Sequence, residues 1–184
     1  SGINIYILLA IFIAGASLLT YLIIYVPKFD YIQGRIFSFF NRETGTHNFQ
    51  SDKAIDSITS GGFFGKGIGE GTLNSRVPEA HTDYIVSVIA EEFGAIIVIG
   101  IVIMYLVFSY KVIQKINLEK NDNIKLILIG SISIILLQSF IHVGVNIRLL
   151  PTTGMTLPFL SYGGSSIVST AILSGIILNL TKRK

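Results

Sequence analysis

Twenty-four consecutive residues, Ile3 to Val26, carry no Asp, Glu, Lys, Arg or His. A hydrocarbon layer about 30 Å thick is crossed by about 20 helical residues. The run is therefore long enough to span a bilayer, and too long for the apolar core of a signal peptide. Little else in the chain could cover such a helix in water. Charged residues are 14% of the 184, against about 25% in soluble domains. The same balance excludes a disordered chain, which needs low hydrophobicity and high net charge. With no cysteine there is no disulfide framework, thiolate nucleophile or Cys-ligated metal. The net charge of +3 is read as a topology signal and not as a nucleic-acid surface. The chain opens Ser1-Gly2, which is read as a piece of a longer product.

Three more apolar segments follow, over 84–110, 124–145 and 165–180. The expected fold is an all-α polytopic transmembrane helix bundle with four spans and one long external loop. Lys111, Lys115, Lys120 and Lys125 follow the second span, and Lys182, Arg183 and Lys184 close the chain. By the positive-inside rule, 111–123 is a cytoplasmic loop and 181–184 a cytoplasmic tail. Residues 27–83 and 146–164 then lie outside. The loop 27–83 balances six basic against seven acidic residues, so it casts no vote against this topology. Its density of aromatics, among them Phe29, Tyr31, Phe37, Phe39, Phe40, Phe49, Phe63 and Phe64, suggests a folded loop on the membrane surface.

The glycine stretch Gly61 to Gly71 invites a phosphate-loop reading. A Walker A pattern ending at Gly65-Lys66 needs Gly at 60 and Ser or Thr at 67, where Ser60 and Gly67 stand. A tight turn bringing backbone close to backbone or ligand is the plainer reading. Amides and Lys66 could still cradle a pyrophosphate. Next, Val77-Pro78-Glu79-Ala80-His81-Thr82-Asp83-Tyr84 ends where the second span begins. Thr82 or Asp83 would serve as a helix N-cap. Alternatively, Glu79, His81 and Asp83 crowd a helix mouth and suit general-base work or a divalent cation. Glu91 and Glu92 are either hydrated near the interface or face a polar interior. Gln138, His142 and Asn146 recur at i, i+4, i+8 and share one face. A polar stripe in lipid is costly, so it faces protein or a wet cavity, either as a hydrogen-bonded seam or as part of a site. Finally, Arg148 to Ser166 holds two prolines and three glycines yet is strongly apolar. It reads as a re-entrant or interface-hugging segment, which is tolerated only where protein or a wet cavity satisfies the backbone. The fourth span is rich in small residues, suiting close packing.

Two of these loops carry a family resemblance. Pro78-Glu79-Ala80-His81-Thr82-Asp83-Tyr84 with Ala90-Glu91-Glu92-Phe93-Gly94 resembles one signature of the SEDS (shape, elongation, division and sporulation) family of bacterial cell-wall polymerases. Leu150-Pro151-Thr152-Thr153-Gly154-Met155-Thr156-Leu157-Pro158-Phe159-Leu160-Ser161-Tyr162-Gly163-Gly164-Ser165-Ser166 resembles the second, and Ser60 to Gly69 resembles the preceding loop. The wording is that of the division branch more than the elongation branch. The resemblance covers nearly the whole chain and the C-terminal part of a roughly ten-span architecture. It implies a peptidoglycan glycosyltransferase that polymerises lipid II during septal wall synthesis and releases undecaprenyl diphosphate. It also implies a class B penicillin-binding protein and other divisome proteins as partners, no nucleic acid, and a multi-pass place in the bacterial inner membrane at the septum. The family's essential acid falls on Asp83. Glu79 and His81 orient it or the sugar. Arg35, Lys66 and Arg148 are candidates for the diphosphate. No cofactor is required outright; a divalent cation, Mg2+ or Mn2+, at Asp83 is left open. A lipid-precursor flippase and a non-catalytic scaffold for a division transpeptidase are the rival readings.

Overall fold

The computed structural model describes residues 4–40 and 46–182. It resolves into two compact units, Ser1–Asn48 and Phe49–Lys184. In the first unit, helix α1 (Ile5–Tyr25) is capped by the Asn4 side chain, which accepts from the Tyr6 amide at 3.1 Å. It ends because Val26 turns extended ahead of Pro27. A 3-10 turn, Pro27–Phe29, leads into α2 (Asp30–Phe40). No residue of α1 is buried, and Ile7, Ile11, Phe12 and Leu19 stand bare along it. Such a surface is stable only against lipid or further protein.

The second unit is built from α3 (Thr46–Gly61, entering at Phe49), α4 (Leu73–Arg76), α5 (Ile85–Phe93), α6 (Ala95–Leu118), α7 (Asp122–Asn146) and α8 (Gly164–Lys182). Helices α1, α6, α7 and α8 are long and apolar enough to cross a membrane. Two separate cores hold this unit. Val112, Ile116, Leu128, Ile132, Ile135 and Ile177 close the end where α6 meets α7 and α8. At the other end, Ala54, Leu73, Val77, Ala80, Tyr84, Val88 and Val145 bind α3, α4 and the turn before α5 to the end of α7. The second core is what anchors the candidate site.

The apolar segment read over 84–110 is two helices. Gly94 separates α5 from α6 at φ 85°, ψ 169°, a conformation essentially restricted to glycine. Helix α6 then runs on to Leu118, so only 119–121 separate it from α7. Among the described residues of 27–83, the first unit holds the 3-10 turn and α2, and the second holds α3 from Phe49 and α4.

The glycine stretch explains the break. Its backbone docks on both helix ends at the α5–α6 junction. Lys66 N donates to Glu91 O at 2.9 Å and Gly67 N to Glu92 O at 3.0 Å, which satisfies the end of α5. Gly62 O accepts from Ala95 N at 2.9 Å, which satisfies the start of α6. A Cβ on Gly65 would lie 2.2 Å from Glu92 O, and one on Gly94 would lie 2.2 Å from Phe63 O. The stretch thus serves close backbone approach. Gly94→Ala is expected to destabilise the full-length protein by about 1–3 kcal/mol, read as thermal unfolding in detergent. Gly130→Ala in α7, where a Cβ meets nothing within 4 Å, is expected to leave stability unchanged or higher.

Candidate functional site

The residues 77–84 form a series of turns ahead of α5. Val77, Ala80 and Tyr84 are pinned in the core, which leaves Pro78, Glu79 and His81 exposed and Asp83 half-buried. The turns are closed by Thr82 N and Asp83 N, which donate to Glu79 O at 3.2 and 2.9 Å. Thr82 Oγ1 also donates to Glu79 Oε2 at 3.0 Å. The N-cap of α5 is Tyr84, with no side-chain cap, so the N-cap role read for Thr82 or Asp83 is corrected. The cap comes from another helix. Asn146 Oδ1, at the end of α7, accepts from the first-turn amide of Ser87 at 3.0 Å and from Ser87 Oγ at 2.8 Å.

The stripe Gln138, His142 and Asn146 faces the two signature segments. Gln138 Nε2 donates to Thr156 O at 2.9 Å. His142 Nε2 lies 3.2 Å from Thr82 O, and Asn146 Nδ2 donates to Asp83 O at 2.9 Å. From the second signature, Ser161 Oγ donates to Thr82 O at 2.8 Å and Tyr162 N to His81 O at 3.1 Å. Ser161 Oγ itself accepts from Leu157 N at 2.8 Å. Tyr105 OH donates to Pro158 O, tying the segment to α6. This is how 147–163 stays irregular beside spanning helices: side chains on α6, α7 and its own turns satisfy its backbone. Gly154, at φ 70°, comes close to the site. A Cβ built there would lie 3.7 Å from Asp83 Oδ2. The two signatures therefore meet at the Asp83 carboxylate.

The predicted site residues do not all gather there. Glu79, His81 and Asp83 share one turn. Lys66 Nζ is bound by Glu91 Oε1 at 2.8 Å, in a cleft of about 200 Å3 lined also by Lys53, Asp56 and Arg76. Glu91 is 1% exposed and belongs to α5, outside the spanning helices. Burial pushes its carboxyl up. Hydrogen bonds from the Lys66 ammonium, the Thr72 and Leu73 amides and the Thr72 hydroxyl outweigh that and hold it at about 2. Arg148, at φ 57°, donates to Asp52 of α3. Arg35 lies in the first unit, where it donates to Tyr31 and stacks 4.4 Å over its ring. Among the described residues, no group of three or more His, Cys, Asp or Glu side chains is placed to hold a metal ion.

What the residue types alone did not mark is Ser161 and Ser87. A serine in an apolar segment gives no periodic signal. The i, i+4, i+8 spacing did single out their partners His142 and Asn146.

The profile of the FtsW/RodA/SpoVE family, described as cell cycle protein, matches residues 1–184. A probable peptidoglycan glycosyltransferase FtsW of Geobacter metallireducens is 36% identical over 177 residues, 94% of this chain and 47% of the relative. Its namesake from Caulobacter vibrioides is 34% identical over 158 residues, 85% of this chain and 40% of the relative. The chain thus spans about half the length of the curated relatives it matches. A solved structure described as a peptidoglycan synthase complex that coordinates polymerization and crosslinking superposes with a TM-score of 0.74 at 23% identity. That match covers 96% of this chain and 48% of the solved one, and it shows the shared all-helical fold. The chain belongs to the FtsW/RodA/SpoVE family of cell cycle proteins and, with four helices able to cross a bilayer, is an integral membrane member of it.

Proposed function

We propose that this chain is part of a peptidoglycan glycosyltransferase that polymerises lipid II in septal wall synthesis, with Asp83 as its general base. The observation that supports this most directly is the meeting of the two signature segments at the Asp83 carboxylate, where a Cβ added to Gly154 would lie 3.7 Å from Oδ2. In the reaction, an acceptor sugar hydroxyl attacks the anomeric carbon of a lipid-linked donor. Its proton passes to Asp83, the new glycosidic C–O bond forms, and the C–O bond to the diphosphate breaks. Undecaprenyl diphosphate leaves with the bonding pair. A divalent cation, Mg2+ or Mn2+, held at Asp83 would stabilise the leaving diphosphate.

The lysine-rich end at 111–125 is assigned to the cytoplasm and the end bearing Asp83 to the outer face, where lipid-linked head groups lie. The exposed aromatics Phe63 and Phe64 suit a loop resting on that surface. Partners on this reading are a class B penicillin-binding protein, supplying transpeptidation, and other division proteins. Lys66 and Arg148 already hold carboxylate partners, so either would reach a diphosphate only by exchanging Glu91 or Asp52 for it.

The test is polymerisation of labelled lipid II by the purified full-length protein with its transpeptidase partner. Glycan chains longer than the disaccharide are expected. Movement of lipid II across vesicles with no polymer would turn the reading to a flippase, and neither activity would turn it to a scaffold.

A further inference from the structure

We propose that His142 and Asn146 are positioning residues, which set the place of the Asp83 carboxylate by gripping the carbonyls of Thr82 and Asp83. The kinetic part of this rests on Asp83 being the base; the placement itself does not.

Asn146 is 0% and His142 1% exposed. Polar groups so buried on a spanning helix are retained where they are fully satisfied. Asn146 spends its amide completely. Its Oδ1 accepts from Ser87, while its Nδ2 donates to Asp83 O and to His142 O, both at 2.9 Å. A flipped amide would set donor against donor at Ser87 and oxygen against oxygen at Asp83. The imidazole is fixed in the same way. Nε2 faces Thr82 O, which only accepts, so Nε2 carries the hydrogen. Nδ1 then carries no hydrogen and faces the Asn146 amide nitrogen at 3.2 Å, where it can only share the hydrogen already directed at His142 O.

The bonds converge on one place. The carbonyls of His81, Thr82 and Asp83 each take a donor from outside their own turn. A seam that merely joined helices would have no reason to concentrate on the residues leading into Asp83. Holding the main chain fixes the Cα–Cβ bond from which the carboxylate projects, beside Gly154, where an added Cβ would lie 3.7 Å from Oδ2. A misplacement of about 1 Å costs an enzyme about 100-fold, so the grip has a kinetic signature.

The experiment uses the full-length protein. His142→Phe keeps bulk and removes the donor. His142→Gln restores an N–H at the depth of Nε2. Asn146→Asp keeps shape and turns an oxygen toward the Asp83 carbonyl. We expect His142→Phe and Asn146→Asp to lower kcat for polymerisation by at least about 10-fold while KM for lipid II stays within about twofold. His142→Gln is expected to recover most of the rate.

A second readout needs no turnover. This chain has no cysteine, so Asp83→Cys in a cysteine-free parent provides a single thiol. Its maleimide labelling rate should change by at least about fivefold when His142→Phe is added, as one lost hydrogen bond shifts a local opening. It should return with His142→Gln. If both rates are untouched by His142→Phe, or if Gln and Phe behave alike, the proposal is overturned. If the wild-type protein makes no polymer, the glycosyltransferase reading fails while the labelling rates still decide the placement.

Discussion

Asp83→Asn in the full-length protein is expected to reduce glycan polymerisation by about 100-fold or more, the usual contribution of a positioned general base. The swap is close to isosteric. Two bonds to residue 83 are made by its backbone, from Asn146 to its carbonyl and from its amide to Glu79 O, and these do not depend on the carboxylate, so the turn should survive the exchange. Folding and binding of the transpeptidase should therefore be unaffected, and the loss should fall on kcat. Glu79→Gln is the informative contrast. Glu79 is exposed and bonded to Thr82 within its own turn, and its exchange should cost far less. A fully active Asp83→Asn protein would remove Asp83 from the mechanism and move the search for a base to Glu79.

The second large effect is on stability. Glu91 is a staple between α5, the glycine stretch and the start of α4, and the Thr72 amide and three further groups depend on it. Lys66 Nζ lies at 2.8 Å, Leu73 N at 3.0 Å and Thr72 Oγ1 at 3.1 Å. Glu91→Ala should destabilise by about 3 kcal/mol, the cost of breaking a buried pair from one side. Lys66, about one-third exposed, can turn to water, which keeps the figure at the low end.

The carboxyl also predicts a pH response. Its folded value of about 2 lies below the ordinary 4.5. Its contribution is therefore fully present above pH 4.5 and is lost as pH falls from 4.5 toward 2. The size is on the order of 3 kcal/mol. Unfolding temperature in detergent, followed from pH 5 downward, should fall more steeply for wild type than for Glu91→Gln. Parallel curves would mean that the staple carries no net stability.

Much of the architecture is written in composition and periodicity. The uncharged run after Ile3 has no stable solution other than lipid or protein on every side. The proline- and glycine-rich apolar segment from Arg148 is irregular, and its backbone is satisfied by neighbouring helices, as an apolar loop requires. The spacing of Gln138, His142 and Asn146 announced a shared face, because the helical period depends on nothing distant.

Three features were beyond such reasoning. Hydropathy over 84–110 reads as one helix, because it is blind to the backbone dihedral that breaks the chain at Gly94. Thr82 and Asp83 have the chemistry of caps, yet the first turn of α5 is served by Asn146, 59 residues away from Ser87. Lys66 and Arg148 look like available cations, yet Glu91 and Asp52, at separations of 25 and 96 residues, hold them. Span number, helix periodicity and the sites where the backbone must break regularity are local properties, governed by the solvent each residue tolerates and the dihedrals it allows. Which carboxylate takes which cation, and which side chain grips the turn at Asp83, depends on groups that meet only once α3, α5 and α7 have packed. Burial then makes each unpaired donor or charge costly enough to select a single arrangement.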